Sequence, residues 1–223
     1  MKYKRIICVG AHPLDAELMG GPLMIKYAKK GANCTFVHVT AGRLENPNAT
    51  LEEKEAYHQK LIKEYKEVAK TMGCDCNPLE YVSSKLPSEV EFTNFLIDYF
   101  KKEGADLIIT HARGTLHPRH YYTYQTVTDA VRKMREEGSN IKLLYGENCE
   151  DLIGFIPTTY VSMDNEIMDK WFEGLSKYSI FQGKVNDMPY QDYYRTMAKI
   201  RAVEAFSKLP VKAYMHGGLI DDE

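Results

Sequence analysis

Short apolar runs rich in β-branched residues alternate along this chain with longer stretches whose apolar residues recur at helical spacing. Arg5-Ile-Ile-Cys-Val9 and Asp106-Leu-Ile-Ile-Thr110 are the clearest runs, with Cys34-Thr-Phe-Val-His-Val-Thr40 and Ile141-Lys-Leu-Leu-Tyr145 beside them. Leu79-Glu-Tyr-Val82 and Thr159-Tyr-Val-Ser162 are shorter versions. Runs of this kind read as strands buried in a sheet. Between them, residues 16–30, 51–72, 88–102 and 120–137 read as helices, and Gly31, Gly73 and Gly138 stand where three of them should stop. Strands separated by helices of this length form βαβ units, so the chain is expected to be an α/β protein with a mostly parallel sheet. Residues 165–177 and 191–207 read as helices joined by a Gly/Asn/Pro loop, which gives one domain, 1–223, with a helical C-terminal tail.

Composition narrows the function classes. The chain has 223 residues, enough to bury a core without disulfides or a structural metal. With 29 basic and 31 acidic residues its net charge is -2, which gives no reason to expect nucleic acid or an anionic membrane as partner. The apolar run before Gly10 is too short for a signal peptide, and no stretch approaches the ~20 apolar residues of a spanning helix. The five cysteines are odd in number and scattered; Cys74-Asp-Cys76 reads as thiols in a helix-to-strand loop. A cytoplasmic location is expected.

In open α/β sheets, ligands bind beyond the carboxyl ends of the strands. Two polar clusters fall there: Gly10-Ala-His12-Pro-Leu-Asp15-Ala-Glu17 after the first strand, and Thr110-His111-Ala-Arg113-Gly-Thr-Leu-His117-Pro-Arg-His120 after the fourth. An imidazole and a carboxylate flanking a turn suit a borderline cation such as zinc, and His117 or His120 can supply a further imidazole. The same residues have plainer uses, Asp15 as a helix cap and the histidines as loop residues. The turn after the first strand lacks Gly-x-Gly-x-x-Gly, which argues against a dinucleotide site.

At these clusters the chain resembles the PIG-L/LmbE-like family of zinc-dependent N-acetylglucosaminyl deacetylases. The family's Ala-His-Pro-Asp-Asp-(Ala)-Glu motif corresponds to Ala11-His12-Pro13-Leu14-Asp15-Ala16-Glu17, and its His-Pro-Asp-His motif to His117-Pro118-Arg119-His120. Gly20-Gly21, the Thr40-Ala-Gly42 turn and residues 194–206 extend the likeness. It implies a Rossmann-like three-layer α/β/α fold, Zn2+ or another divalent metal held by His12, Asp15 and His120, and His117 as the residue that stabilises the tetrahedral intermediate or protonates the leaving amine. The implied reaction is hydrolysis of an N-acyl amino sugar or similar small amide.

Two positions depart from the family pattern. Leu14 replaces the aspartate thought to be the general base, and Arg119 replaces the aspartate that orients the first histidine. Glu17 and Glu147 are therefore candidates for a replacement base, with Arg119, Arg43 and Glu147 as candidate substrate-binding residues. A family member that binds without turnover is the alternative. Tyr121-Tyr122-x-Tyr124 suits core packing or a sugar pocket, and Trp171-Phe172 with Tyr193-Tyr194 suits a subunit interface in a homo-oligomer.

Overall fold

The computed structural model describes residues 2–42, 44 and 46–218. The elements follow in the order β1 (Arg5–Gly10), α1 (Asp15–Ala28), β2 (Asn33–Thr40), α2 (Leu51–Met72), β3 (Asp75–Tyr81), α3 (Glu89–Glu103), β4 (Leu107–Thr110) and α4 (Pro118–Glu136). They continue with β5 (Lys142–Gly146), β6 (Thr159–Ser162), α5 (Asn165–Leu175), α6 (Tyr190–Glu204) and β7 (Val211–His216).

Local chemistry sets the helix ends. Thr50 and Ser88 cap α2 and α3: each side chain accepts the N–H of a glutamate three residues on (Glu53, Glu91), and that glutamate's carboxylate accepts the cap's own N–H. Gly73 and Gly104 close the same helices with left-handed φ of 73° and 62°, a conformation glycine adopts without a Cβ penalty.

The sheet runs β3-β2-β1-β4-β5-β7-β6, with β1 to β5 parallel and β7 antiparallel to both β5 and β6. Ile6, Ile7, Cys8 and Val9 of the central β1 are wholly buried, alternately against two apolar layers. One layer comes from α1, α2, α5 and α6, the other from α3 and α4. This is the three-layer α/β/α arrangement that the element order implies. From β1 the chain steps outward to β2 and β3, then returns to β4 on β1's other side. The loops leaving β1 and β4 therefore diverge and open a crevice at the carboxyl edge.

The structure extends and corrects the sequence reading in three places. The third strand begins at Asp75, before the apolar pattern, because Pro78 sits on an edge strand where its missing N–H costs no ladder bond. The C-terminal segment also contributes β7, which inserts between β5 and β6; Lys212, its buried second residue, breaks the apolar pattern that would mark a strand. Trp171, Phe172 and Tyr194 are buried within the chain's own core, with Tyr193 packed against it, so they do not form an exposed subunit interface. Among the described residues no helix is long and apolar enough to cross a membrane.

Candidate metal centre

The crevice is built from three strand ends. After β1, Gly10 lets the chain pass so close to α1 that a Cβ there would meet the backbone N of Ala16 at 2.5 Å. This tight turn carries His12 and Asp15 to the sheet edge. Asp15 opens α1 with both oxygens occupied: Oδ2 accepts the backbone N–H of His12 at 2.8 Å, and Oδ1 accepts Asn148 Nδ2–H at 3.1 Å. Oδ2 also faces His12 Nδ1 at 3.1 Å and His120 Nε2 at 3.3 Å. His117 and His120 come from the start of α4, and their ring centroids lie 4.4 Å apart.

Behind these side chains lies a carboxylate with no motif of its own. Asp151, wholly buried in the loop after β5, faces His120 Nδ1 with Oδ1 at 2.9 Å and His111 Nδ1 with Oδ2 at 2.6 Å. His111 Nε2 accepts the N–H of Ala11 at 2.9 Å, so His111 carries its proton on Nδ1 and both ring nitrogens are occupied. Glu150 Oε2 stands 3.5 Å from His120 Nε2 at the rim. The signal for Asp151, Asn148 and Glu150 is the polar run Glu147-Asn-Cys-Glu-Asp151 directly after a buried strand, at the edge where ligands bind.

Electrostatics tie the group together. Burial works against an ionised Asp15, yet His120, His12 and His111 around it hold its carboxyl well below the usual range. Asp151 is likewise pulled down to about 2, against its burial, by His111 and His120. His120 is raised to about 10: burial disfavours its charge, but Asp15 and Asp151 outweigh burial. His117 is lowered to about 4 by burial, with His120 and His12 adding to it.

The pocket in front has a volume of about 660 Å3, within the range of small-molecule sites. His12, Leu14, Asp15, His117, Arg119, His120 and Glu150 line it, together with apolar side chains including Leu18, Tyr57 and Ile180. Leu14 holds φ 91°, ψ −36°, a strained backbone for a residue with a side chain.

The structure thus brings His12, Asp15, His117 and His120 together and puts Arg119 in the same pocket. Two other candidates are placed elsewhere. Glu17 is two residues from Asp15, about 200° around the helix, so its carboxylate points into the core. There it meets His38 Nε2 at 2.9 Å and accepts the Tyr178 hydroxyl at 3.0 Å. Glu147 is buried and paired with Arg201 of α6 at 2.5 Å, so it is a packing ion pair and not an open loop carboxylate. Arg43 lies outside the described residues. Of the tyrosine cluster, Tyr122 stacks on Phe92 and Tyr124 packs on Tyr145, while Tyr121 is partly exposed. None of the three lines the pocket.

The fold and this edge define an α/β protein whose histidines and carboxylates converge where such sheets bind ligands. The GlcNAc-PI de-N-acetylase (PIG-L) family model matches residues 7–131, more than half of the chain, and the protein belongs to that family. Solved structures of similar fold include the A40926 pseudoaglycone deacetylase Dbv21, with a TM-score of 0.73, 16% identity, and 97% of this chain and 99% of that one covered. The N,N'-diacetylchitobiose deacetylase of Pyrococcus horikoshii gives a TM-score of 0.73 at 17% identity, over 96% of this chain and 84% of that one. GalB, the 4-carboxy-2-hydroxymuconate hydratase of Pseudomonas putida KT2440, gives 0.77 at 13% identity, over 99% and 98%. At these identities the likeness is one of fold. No curated protein matches the chain in sequence.

Proposed function

We propose that this protein is a metal-dependent amide hydrolase of the deacetylase class, acting on an N-acetylated amino sugar or similar small polar amide. The observation that carries this reading is the spacing of three donor atoms. His12 Nδ1 and His120 Nε2 lie 3.1 and 3.3 Å from Asp15 Oδ2. Ligands about 2.0–2.1 Å from a tetrahedral zinc ion are about 3.3 Å from one another, so each of these two spacings suits a pair of zinc ligands, and imidazole with carboxylate is a donor set of the right chemistry. Three protein donors beside an open pocket are the arrangement of catalytic zinc. When bound, such an ion lowers the pKa of water and polarises an amide carbonyl.

The chain's own residues supply the rest. Asp151 accepts a hydrogen bond from His120 Nδ1–H, which leaves Nε2 of that ring facing the site. Leucine at position 14 cannot accept a proton. Glu150, whose Oε2 is beside His120 Nε2, is the carboxylate placed to take the proton from water and return it to the leaving nitrogen. His117, neutral at pH 7, offers a ring N–H to the carbonyl oxygen as negative charge develops there. Leu14, Leu18 and Ile180 give the pocket an apolar wall beside the reacting amide.

Dbv21 and the P. horikoshii enzyme are named for deacetylation, which agrees with this reading, whereas GalB is named as a hydratase. The fold therefore leaves the chemistry to the site. The test is acetate release from a panel of N-acetylated amino sugars by zinc-loaded protein, with a chelated sample and His12→Ala beside it. Turnover that disappears in both controls supports the proposal. Leu14 favours one competing reading, a family member that binds its ligand without hydrolysing it. Saturable binding with no acetate released would establish that reading instead.

A further inference from the structure

We infer that the ligand of this pocket carries an anionic group, a carboxylate or a phosphate, bound by the guanidinium of Arg119. The inference rests on the amide-hydrolase reading only for the rest of the ligand. Arg119 is the second residue of α4, next to His120 and two residues from His117, and it lines the same pocket. Its Nε–H is donated to Ser83 Oγ at 2.8 Å, and no acidic side chain among the described residues forms an ion pair with it. A guanidinium has five N–H donors in a planar fork, so four remain, including the two terminal nitrogens that together grip an oxyanion.

Arg201 shows the contrast within this molecule. It donates to the carboxylates of Glu147 and Glu204 together, which is how a structural arginine is satisfied here. Among the described residues Arg119 has a positioning hydroxyl and no counter-ion. The two carboxylates among the described lining residues face imidazoles and not Arg119: Asp15 faces His12 and His120, and Glu150 faces His120. Arg119 is the one permanent cation among the described lining residues. The first turn of α4 has no acidic residue, and His117 makes no side-chain cap to it, so the positive end of the helix adds to the same field.

The reacting amide and the anionic group would thus be held from a single helix turn, the amide near His117 and His120 and the charge at Arg119. A half-buried guanidinium in an apolar-walled pocket strengthens such a contact relative to water. Charge-assisted hydrogen bonds contribute about 1.5–3 kcal/mol, or roughly 10- to 100-fold in affinity.

The experiment compares three probes by calorimetric titration and by acetate release: N-acetylglucosamine, N-acetylmuramic acid with an added carboxylate, and N-acetylglucosamine 6-phosphate. Wild type is expected to bind at least one acidic probe about 10-fold or more tightly than the neutral one. Arg119→Gln should abolish that preference, with circular dichroism and thermal unfolding like wild type to show that the variant is folded. Arg119→Lys should keep part of the preference, because it keeps the charge but not the fork. The tighter of the two acidic probes identifies the anion. Equal affinity for all three, a preference that survives Arg119→Gln, or no binding of any probe at millimolar concentration would overturn the inference. A charge preference in binding without acetate release would reject the hydrolase reading and leave the Arg119 site standing. Acetate release from the neutral probe with no preference would do the opposite.

Discussion

Asp151 accepts a hydrogen bond from His120 Nδ1–H at 2.9 Å, and its second oxygen lies 2.6 Å from His111 Nδ1. One buried carboxylate thereby fixes the orientation of an imidazole that faces the site and of one that braces the β1 turn through Ala11. Asp151→Asn offers one acceptor oxygen and one NH2 group, so one of the two rings must turn or lose its partner. Zinc affinity is expected to fall about 10- to 100-fold, the usual cost of losing such an outer partner. A competition titration against a chromophoric chelator measures it, and an unchanged affinity would show that Asp151 does not support the ligand.

Glu150 is assigned the proton-transfer role that Leu14 cannot fill. Glu150→Gln should lower acetate release by about 10²–10⁴-fold. Zinc content should stay the same, because His12, Asp15 and His120 remain. Leu14 lines the same pocket, so Leu14→Asp in the Glu150→Gln background should restore at least about tenfold of the lost rate by supplying a carboxylate there. Steady-state kinetics of the single and double variants decide the point: loss of zinc in Glu150→Gln would make Glu150 a ligand instead, and no rescue would leave position 14 without a catalytic role.

The sequence carries much of this site and misses part of it for physical reasons. His12, Asp15, His117 and His120 are legible because they flank two strand ends that the sheet topology places side by side. Asp151, Asn148 and Glu150 follow a third strand end, and only the folded register brings that loop to the first two. Glu17 shows the opposite error. Its nearness to Asp15 in sequence suggests the pocket, yet helical geometry turns a residue two positions on towards the core. Strand β7 is hidden because a buried lysine interrupts its pattern; Lys212 gives its ammonium to the carbonyl of Glu147 at 2.6 Å. That burial lowers its pKa to about 8.

Glu17 instead ties α1 to β2 and to the chain after α5, through His38 and Tyr178. Glu17→Ala leaves both buried partners without an acceptor and opens a void beneath the sheet. A loss of stability on the order of 3 kcal/mol is expected, read from urea denaturation. Zinc stoichiometry at saturating metal should match wild type, since Glu17 does not face the site. A variant with wild-type stability, or one that folds but no longer takes up zinc, would contradict this division of roles.

Metal uptake should release a proton. In the metal-free protein, Asp15 and Asp151 raise His120 to about 10 against the effect of its burial, so the ring is charged at neutral pH. A cation that takes the Nε2 lone pair must expel that proton. The folded-state value lies above the ordinary histidine range, so the competing proton is present throughout neutral pH and is lost only as pH rises towards about 10. Apparent zinc affinity should therefore climb about tenfold per pH unit between about pH 7 and about pH 9. Calorimetric titrations in buffers of different ionisation enthalpy should count about one proton released per ion bound. His120→Ala should remove both the binding and the proton release. Binding that is tight but independent of pH would mean that the ion does not displace a proton from His120, and the ligand set would have to be drawn without it.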